Sequence, residues 1–168
     1  MNIIVLSLLT STVSAGEIQV SKRGHITNPV WSPDGKYIAF EVNEYAGNIT
    51  LHAVQVNQAQ PQGVPKTITL NAGQSSFGGS SNAVTAAPVW HPRGMLFFEG
   101  SYKGMSNRIY TTTLTSPPRQ AFKENVVGGD LSFPTLSADG NELYFVSDSS
   151  GNGDIYKFSL KNWKEAST

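Results

Sequence analysis

The residue types that carry catalytic or metal chemistry are few in this sequence of 168 residues, and they stand far apart. Its three histidines, which could bind zinc or act as a general base, are His25, His52 and His91. No His-x-x-x-His spacing or His-Glu pair accompanies them, so no local zinc motif is formed. Only convergence in a folded structure could bring them together.

Two other chemical motifs are matched incompletely. A serine nucleophile elbow needs Gly-x-Ser-x-Gly, and the segment Gly73 to Phe77 lacks the final glycine. The segment Asp148 to Asp154 offers oxygen ligands for Ca²⁺ but lacks the spacing and the distal glutamate of a calcium loop. We interpret it as a structural turn. No phosphate loop or dinucleotide fingerprint occurs, and we predict no catalytic residue, no metal site and no cofactor.

A structural pattern does recur. The stretch from Pro29 to Phe40 returns in altered form from Pro88 to Phe98 and from Pro134 to Phe145. In the first copy Ser-Pro-Asp-Gly matches a type I β-turn, in which Ser32 can bond back to the backbone, Pro33 sets φ and Gly35 accepts the left-handed conformation. Only the glycine is present in all three copies, as expected if a positive φ is the strict requirement. The turn residues that recur are Pro33, Asp34, Gly35, Gly94, Asp139 and Gly140.

Three further positions keep their distance from each glycine. A proline lies six residues before it, a large apolar residue four before it and another sixteen after it. These residues are Pro29, Trp31 and Leu51, then Pro88, Trp90 and Tyr110, then Pro134, Leu136 and Tyr156. Short aromatic runs alternate with Gly, Asn and Ser turns between them, which predicts antiparallel meanders of three or four strands.

The motif Pro-x-Trp-Ser-Pro-Asp-Gly at residues 29–35 and the segment Ser147 to Tyr156 resemble blades of TolB-like β-propellers. Related blades occur in the propeller domains of prolyl-oligopeptidase-like and tricorn-type peptidases. The resemblance implies an all-β chain of antiparallel four-stranded blades, three of them recognisable, at about 25–70, 84–124 and 130–168. It also implies that Trp31, Trp90, Tyr110 and Tyr156 pack one blade on the next. The shared residues indicate structure and leave function open.

The ends of the chain carry separate expectations. Residues 1–15 resemble a signal peptide, with a short apolar run and small residues at Val13 to Ala15, which predicts export and a mature chain of 16–168. The segment Glu17 to Ser21 could complete the third blade, which has too few residues for a fourth strand. Twelve basic residues balance twelve acidic ones, which argues against nucleic acid or a membrane surface as a partner.

The spacing between copies predicts where the loops lie. The glycines are 59 and then 46 residues apart, and a four-stranded blade needs about 40 to 45. We assign the excess to a polar connection at Asn57 to Pro65 and to the loop 73–87. A lone aromatic residue in that loop, Phe77, is the predicted contact with a ligand or partner.

The function predicted from the sequence is a non-catalytic periplasmic or secreted scaffold that binds an envelope protein, a peptide or a glycan. Two enzyme classes are alternatives: a piece of a peptidase propeller, or a carbohydrate-active propeller that uses axial histidines and a metal. Closed propellers have four to eight blades. Three blades therefore suggest a piece of a longer propeller or a homodimer that closes a six-blade ring. An open arc of three sheets is disfavoured, because its exposed edges would invite aggregation.

Overall fold

The computed structural model describes residues 24–44, 48–58, 60–70, 83–102, 105–123 and 126–163, which form three antiparallel sheets. The predicted signal peptide, the segment Glu17 to Ser21 and Phe77 lie outside these residues. Each sheet is a meander, with its strands adjacent in chain order. Blade 1 consists of β1 His25–Trp31, β2 Tyr37–Glu44, β3 Asn48–Asn57 and β4 Gln60–Ile68. Blade 2 consists of β5 Ala83–Trp90, β6 Leu96–Tyr102, β7 Arg108–Thr112 and β8 Arg119–Gln120, and blade 3 of β9 Leu131–Leu136, β10 Glu142–Ser147 and β11 Asp154–Ser159.

Among the described residues, no helix has the length and apolar character needed to cross a membrane.

Apolar side chains on alternate strand positions pack consecutive blades together. One buried cluster joins blades 1 and 2 and includes Leu51, Phe98 and Tyr110. A second joins blades 2 and 3 and includes Phe97 and Phe145. The blades therefore form successive layers, each sheet covering the face of the one before it.

The strand-connecting turns form as the repeated motif predicts. In blade 1 the amide of Gly35 donates to the carbonyl of Ser32 over 2.9 Å, and Gly35 has φ 67°. In blade 3 Gly140 donates to Ser137 over 2.9 Å with φ 69°. The Ser137 hydroxyl donates to Asp139 over 2.6 Å and, with two donors from Asn141, lowers the pKa of that carboxyl to about 2.

His91 closes the blade 2 turn and also joins it to the turn of blade 3. Its Nδ1 accepts the amide of Arg93 over 3.0 Å, so Nε2 carries the proton and donates to the carbonyl of Gly140 over 2.8 Å. The imidazole is buried, at 3% exposure, and lies against Phe97. His91 is thus a turn residue and a blade-packing residue at once.

A stacked aromatic pair recurs in all three blades. Phe40 stacks on His52, Phe98 on Tyr110 and Phe145 on Tyr156, with ring centroids 5.7, 5.9 and 6.1 Å apart. The first-copy equivalent of the two tyrosines is therefore His52, and the assignment to Leu51 was wrong. A fixed distance from the turn glycine does not identify equivalent residues, because the blades differ in length at two places. The turn is one residue shorter in blade 2, and the segment between the two stacked rings is one residue shorter in blade 3.

The two tryptophans of the motif differ in burial. The indole of Trp90 packs against blade 1 and donates to the carbonyl of Val30 over 3.2 Å. Trp31, at the equivalent position, is 52% exposed, contrary to the expectation that it packs on a blade. The reason is that its neighbour would be a preceding blade, and the described residues contain none before blade 1.

The predicted polar connection at Asn57 to Pro65 was wrong for most of its length. Residues from Gln60 onward form β4, the outer strand of blade 1. An outer strand is exposed along one edge, so it tolerates glutamine, glycine and proline that a central strand would not. Blade 3 has three strands among the described residues.

Alanine substitutions at two turn glycines should separate two reasons for glycine there, the positive φ and the lack of space for a Cβ atom. An alanine Cβ at Gly35 would meet no atom within 4 Å, so only the positive φ is strained, and we expect a loss of about 1 kcal/mol. At Gly140 a Cβ would lie 2.7 Å from Pro92 and 2.9 Å from His91, and we expect a loss of about 3 kcal/mol. Urea denaturation of the two variants measures the difference. Equal losses would show that the blade 3 turn is not constrained by blade 2.

Replacing His91 with serine, the residue found in the other two turns, should keep the turn and remove the contact with blade 3. We expect the free energy of unfolding to fall by about 2 kcal/mol, because a buried hydrogen bond and a buried ring are both lost. Chemical denaturation of His91→Ser gives this value. A stability equal to that of the unmodified chain would show that the Gly140 contact contributes nothing.

Candidate functional site

The first strands of the three blades meet around one open cavity. Its volume is about 560 Å³. Prolines and other apolar side chains dominate its wall, with Asn28 and Thr135 as polar exceptions. We call this cavity the axial groove, and it is lined by Asn28, Pro29, Val30, Ala87, Pro88, Phe133, Pro134 and Thr135.

The same β-bulge occurs in each of the three first strands. The pairing register shifts between Thr27 and Val30 in β1, between Ala86 and Val89 in β5, and between Ser132 and Thr135 in β9. Within each bulge the residue before the repeated proline has a positive φ, of 50° at Asn28, 50° at Ala87 and 52° at Phe133. A residue without an amide hydrogen is tolerated inside a sheet at a bulge, which explains the prolines. All three bulges border the axial groove.

Two glutamates on the second strands hold the bulges of the following blades. The carboxylate of Glu41, on β2, accepts the amide of Ala87 in blade 2 over 2.6 Å. The carboxylate of Glu99, on β6, accepts the amide of Phe133 in blade 3 over 2.7 Å. A positive φ costs on the order of 1 kcal/mol outside glycine, and a hydrogen bond to a charged acceptor is strong enough to offset that cost.

The two carboxylates differ in their surroundings. Glu41 is buried, and its carboxylate also accepts hydrogen bonds from the Thr27 hydroxyl over 3.1 Å and from the side-chain Nδ2 of Asn28 over 3.0 Å. Glu99 is half-buried, and its only hydrogen bond within the described part of the chain is the one from Phe133. Burial raises the pKa of Glu99 above its ordinary 4.5; the amide of Phe133 lowers this pKa and the charge of Glu41 raises it.

Most residues predicted to matter from the sequence lie away from the groove. The turn residues Pro33, Asp34, Gly35, Gly94, Asp139 and Gly140 are at strand connections, and Tyr110 and Tyr156 pack in the apolar clusters that join consecutive blades. The three histidines lie on β1, on β3 and in the blade 2 turn. Within the described ranges no three His, Cys, Asp or Glu side chains are grouped to hold a metal ion. The acidic segment from Asp148 is a turn, whose carboxylates at Asp148 and Asp154 accept bonds from Asp130 and Ser150.

The repeated prolines are evident from the sequence, but the groove that they border is not. The bulge residues Asn28, Ala87 and Phe133 share no side-chain type, so comparison of the copies did not reveal them. A signal was present, because a proline within each predicted strand already indicates a bulge or an edge. Glu41 and Glu99 lie six and five residues after their glycines, and this offset hid their equivalence.

The pH dependence of stability should report the environment of Glu99. Because its pKa is raised in the folded chain, the stability due to this group is fully present below pH 4.5 and is lost as the pH rises through the folded pKa. Glu99→Gln keeps an acceptor without the charge, so its melting temperature should exceed that of the unmodified chain at pH 7. The difference should vanish below about pH 4.

A variant of Glu142 provides the control, because the pKa of this glutamate is shifted in the opposite direction. The Tyr144 hydroxyl and Lys157 lower the pKa of Glu142, so its stability contribution is present above pH 4.5 and is lost as the pH falls. Glu142→Gln should therefore melt below the unmodified chain at pH 7. If both variants changed the melting temperature in the same direction, burial would not be the dominant effect at Glu99.

Comparison with solved structures finds several similar propeller-containing proteins. TolB from Acinetobacter baumannii is 22% identical with a TM-score of 0.57, over 84% of this chain and 31% of its own. A putative TolB from Agrobacterium tumefaciens is 18% identical with a TM-score of 0.62, over 88% of this chain and 47% of its own. A puromycin-hydrolyzing peptidase from Mycobacterium tuberculosis is 17% identical with a TM-score of 0.66, over 89% of this chain and 23% of its own.

No protein-family model matches the sequence, and no curated protein matches it. The chain spans less than half the length of each of these three structures. At these identities the likeness establishes the fold, and the prediction of antiparallel propeller blades is confirmed.

Proposed function

We propose that this chain, which forms three blades of a TolB-like β-propeller, is a non-catalytic scaffold that binds a protein, peptide or glycan along its axial groove. The observation that carries the proposal is the convergence of three identical bulges on one apolar cavity. Strained backbone conformations cluster at functional sites, and concave apolar cavities with few polar groups are typical of binding sites. Export to the periplasm or beyond belongs to the same proposal.

The side chains at the bulge positions support binding over a purely structural role. The backbone is the same in all three bulges, yet the residues are asparagine, alanine and phenylalanine. Phe133 is 67% exposed, although aromatic side chains are usually buried in large part. An exposed aromatic in an apolar groove is the kind of residue that dominates binding energy in protein recognition. Phe133 is therefore the contact residue that we propose among the described residues, and Phe77, which lies outside them, stays a prediction.

An enzyme-linked function is the second candidate, favoured by the likeness to the puromycin-hydrolyzing peptidase. In that case the blades would belong to a propeller that positions substrate for a catalytic domain. A Gly-x-Ser-x-Gly hydrolase domain joined to these blades in one polypeptide would favour it. Both candidates use the groove for binding, and they differ in whether a bound peptide is cleaved.

Selection from a phage-displayed library of linear peptides tests the proposal. We expect selected peptides to bind the full chain and to be recovered intact by mass spectrometry. Phe133→Asn should weaken their binding about tenfold, since a buried aromatic contact of more than 1 kcal/mol is removed. Asparagine suits the test because it tolerates positive φ and occupies the equivalent position in blade 1.

A matched control removes an exposed apolar side chain far from the groove. Val64 lies on β4 and is 91% exposed, and Val64→Thr should leave peptide affinity unchanged. Equal affinity for the Phe133→Asn variant and the unmodified chain would show that the groove is not the binding site. Cleavage of the selected peptides by the chain would overturn the non-catalytic assignment.

A further inference from the structure

Glu41 and Glu99 accept the amides of two groove-lining residues, and neither carboxylate has a basic partner among the residues that the structure describes. The ion pairs within the described residues are Lys36 with Asp34 and Lys157 with Glu142, and neither involves Glu41 or Glu99. Buried or half-buried charges are normally paired, because removal from water is costly. The chain as a whole is neutral, so this is a local excess of negative charge.

Glu99 has acceptor capacity that the described part of the chain does not use. A carboxylate offers about four lone-pair sites, and Glu41 fills three of its own with Thr27, Asn28 and Ala87. Blade 2 has alanine at the positions equivalent to Thr27 and Asn28, so Glu99 receives no such donors. Its Oε2 holds the amide of Phe133, while Oε1 accepts no hydrogen bond from the described part of the chain.

We propose that the junction of blades 2 and 3 in the axial groove binds a cationic group, with Glu99 as its counter-charge and Phe133 as its aromatic neighbour. This rests on the proposed function of the groove. Glu99 and Phe133 are linked directly, because the carboxylate of one holds the amide of the other. A cation near a carboxylate and an aromatic face gains both ionic and cation–π attraction.

An organic cation fits this place better than a metal ion. A hard divalent cation takes six or more oxygen ligands from several carboxylates and carbonyls. Within the described ranges, no three metal-ligating side chains come together here. A lysine or arginine side chain of a bound protein or peptide needs one carboxylate, and its aliphatic stem suits a wall of prolines and valine. The partner is therefore a basic segment of a polypeptide.

The electrostatics of the junction agree with this assignment. Burial raises the pKa of Glu99, and the charge of Glu41 raises it further. A bound cation would relieve both effects, since it replaces lost hydration and opposes the field of Glu41. The negative charge of Glu41, on blade 1, raises the pKa of Glu99, on blade 2.

Titration of the labelled full chain with argininamide, followed by the amide resonance of Phe133 in NMR spectra, tests the inference. Both probes have an acetylated α-amino group, and citrullinamide is the matched one because a neutral urea of similar shape replaces the guanidinium group. We expect argininamide to shift the Phe133 resonance in a saturable way and citrullinamide to bind about tenfold more weakly or not at all. Equal binding of the two probes, or no shift with argininamide, would overturn the proposal.

Two variants complete the test. Glu99→Gln keeps an acceptor for the Phe133 amide and should weaken argininamide binding about tenfold. Glu142→Gln removes one negative charge from a carboxylate that is paired with Lys157 away from the groove, and should leave affinity unchanged. Equal weakening by both variants would mean that net charge alone governs binding and would overturn the proposal. If library peptides need Phe133 but Glu99→Gln binds them normally, the cation site fails while the proposed binding function stands.

Discussion

The hydrogen bond from a bulge amide to a glutamate of the preceding blade is the contact on which the geometry of the groove depends. Apolar packing brings the sheets together, but packing is tolerant of small sliding motions. A charge-assisted bond to one amide fixes a single point on the first strand of the next blade. With Glu41 on Ala87 and Glu99 on Phe133, the three first strands keep one relative position.

Blade 3 does not have the glutamate that makes this hydrogen bond in blades 1 and 2. The residue equivalent to Glu41 and Glu99 is Val146, which has no acceptor. Its cross-strand neighbour Ile155 is 79% exposed, whereas the equivalents Leu51 and Ile109 are 0% and 1% exposed beneath the following blade. A sheet packed on this face of blade 3 would bury Ile155 but would be held by apolar contact without a carboxylate bond.

Features of the fold that depend on residues close together in the sequence could be predicted from it. The turns were predictable because Gly35, Gly94 and Gly140 share a conformation that few other residues adopt. Strand periodicity gave the meanders, and the resemblance to propeller blades gave their arrangement. The polar strand β4 was mistaken for a loop, because an outer strand does not need the alternating pattern that marks a half-buried one.

The candidate site was less predictable, since it depends on contacts between blades that are distant in sequence. Glu99 and Phe133 are 34 residues apart, and nothing in either local sequence indicates their pairing. A glutamate among aromatic residues on a central strand is a weak signal, because either a surface face or a buried partner would explain it. Only the packing of blade 3 on blade 2 shows which explanation holds.

The bulges of blades 2 and 3 offer such a protein a way to change its binding specificity. Because Glu41 and Glu99 hold the backbone at Ala87 and Phe133 through its amides, substitutions of these two side chains can alter the groove without moving its walls. Residues branched at Cβ are the ones that positive φ disfavours most. Blades 2 and 3 therefore act as a fixed frame with one interchangeable position each, and new specificities can arise by single substitutions while the fold is retained.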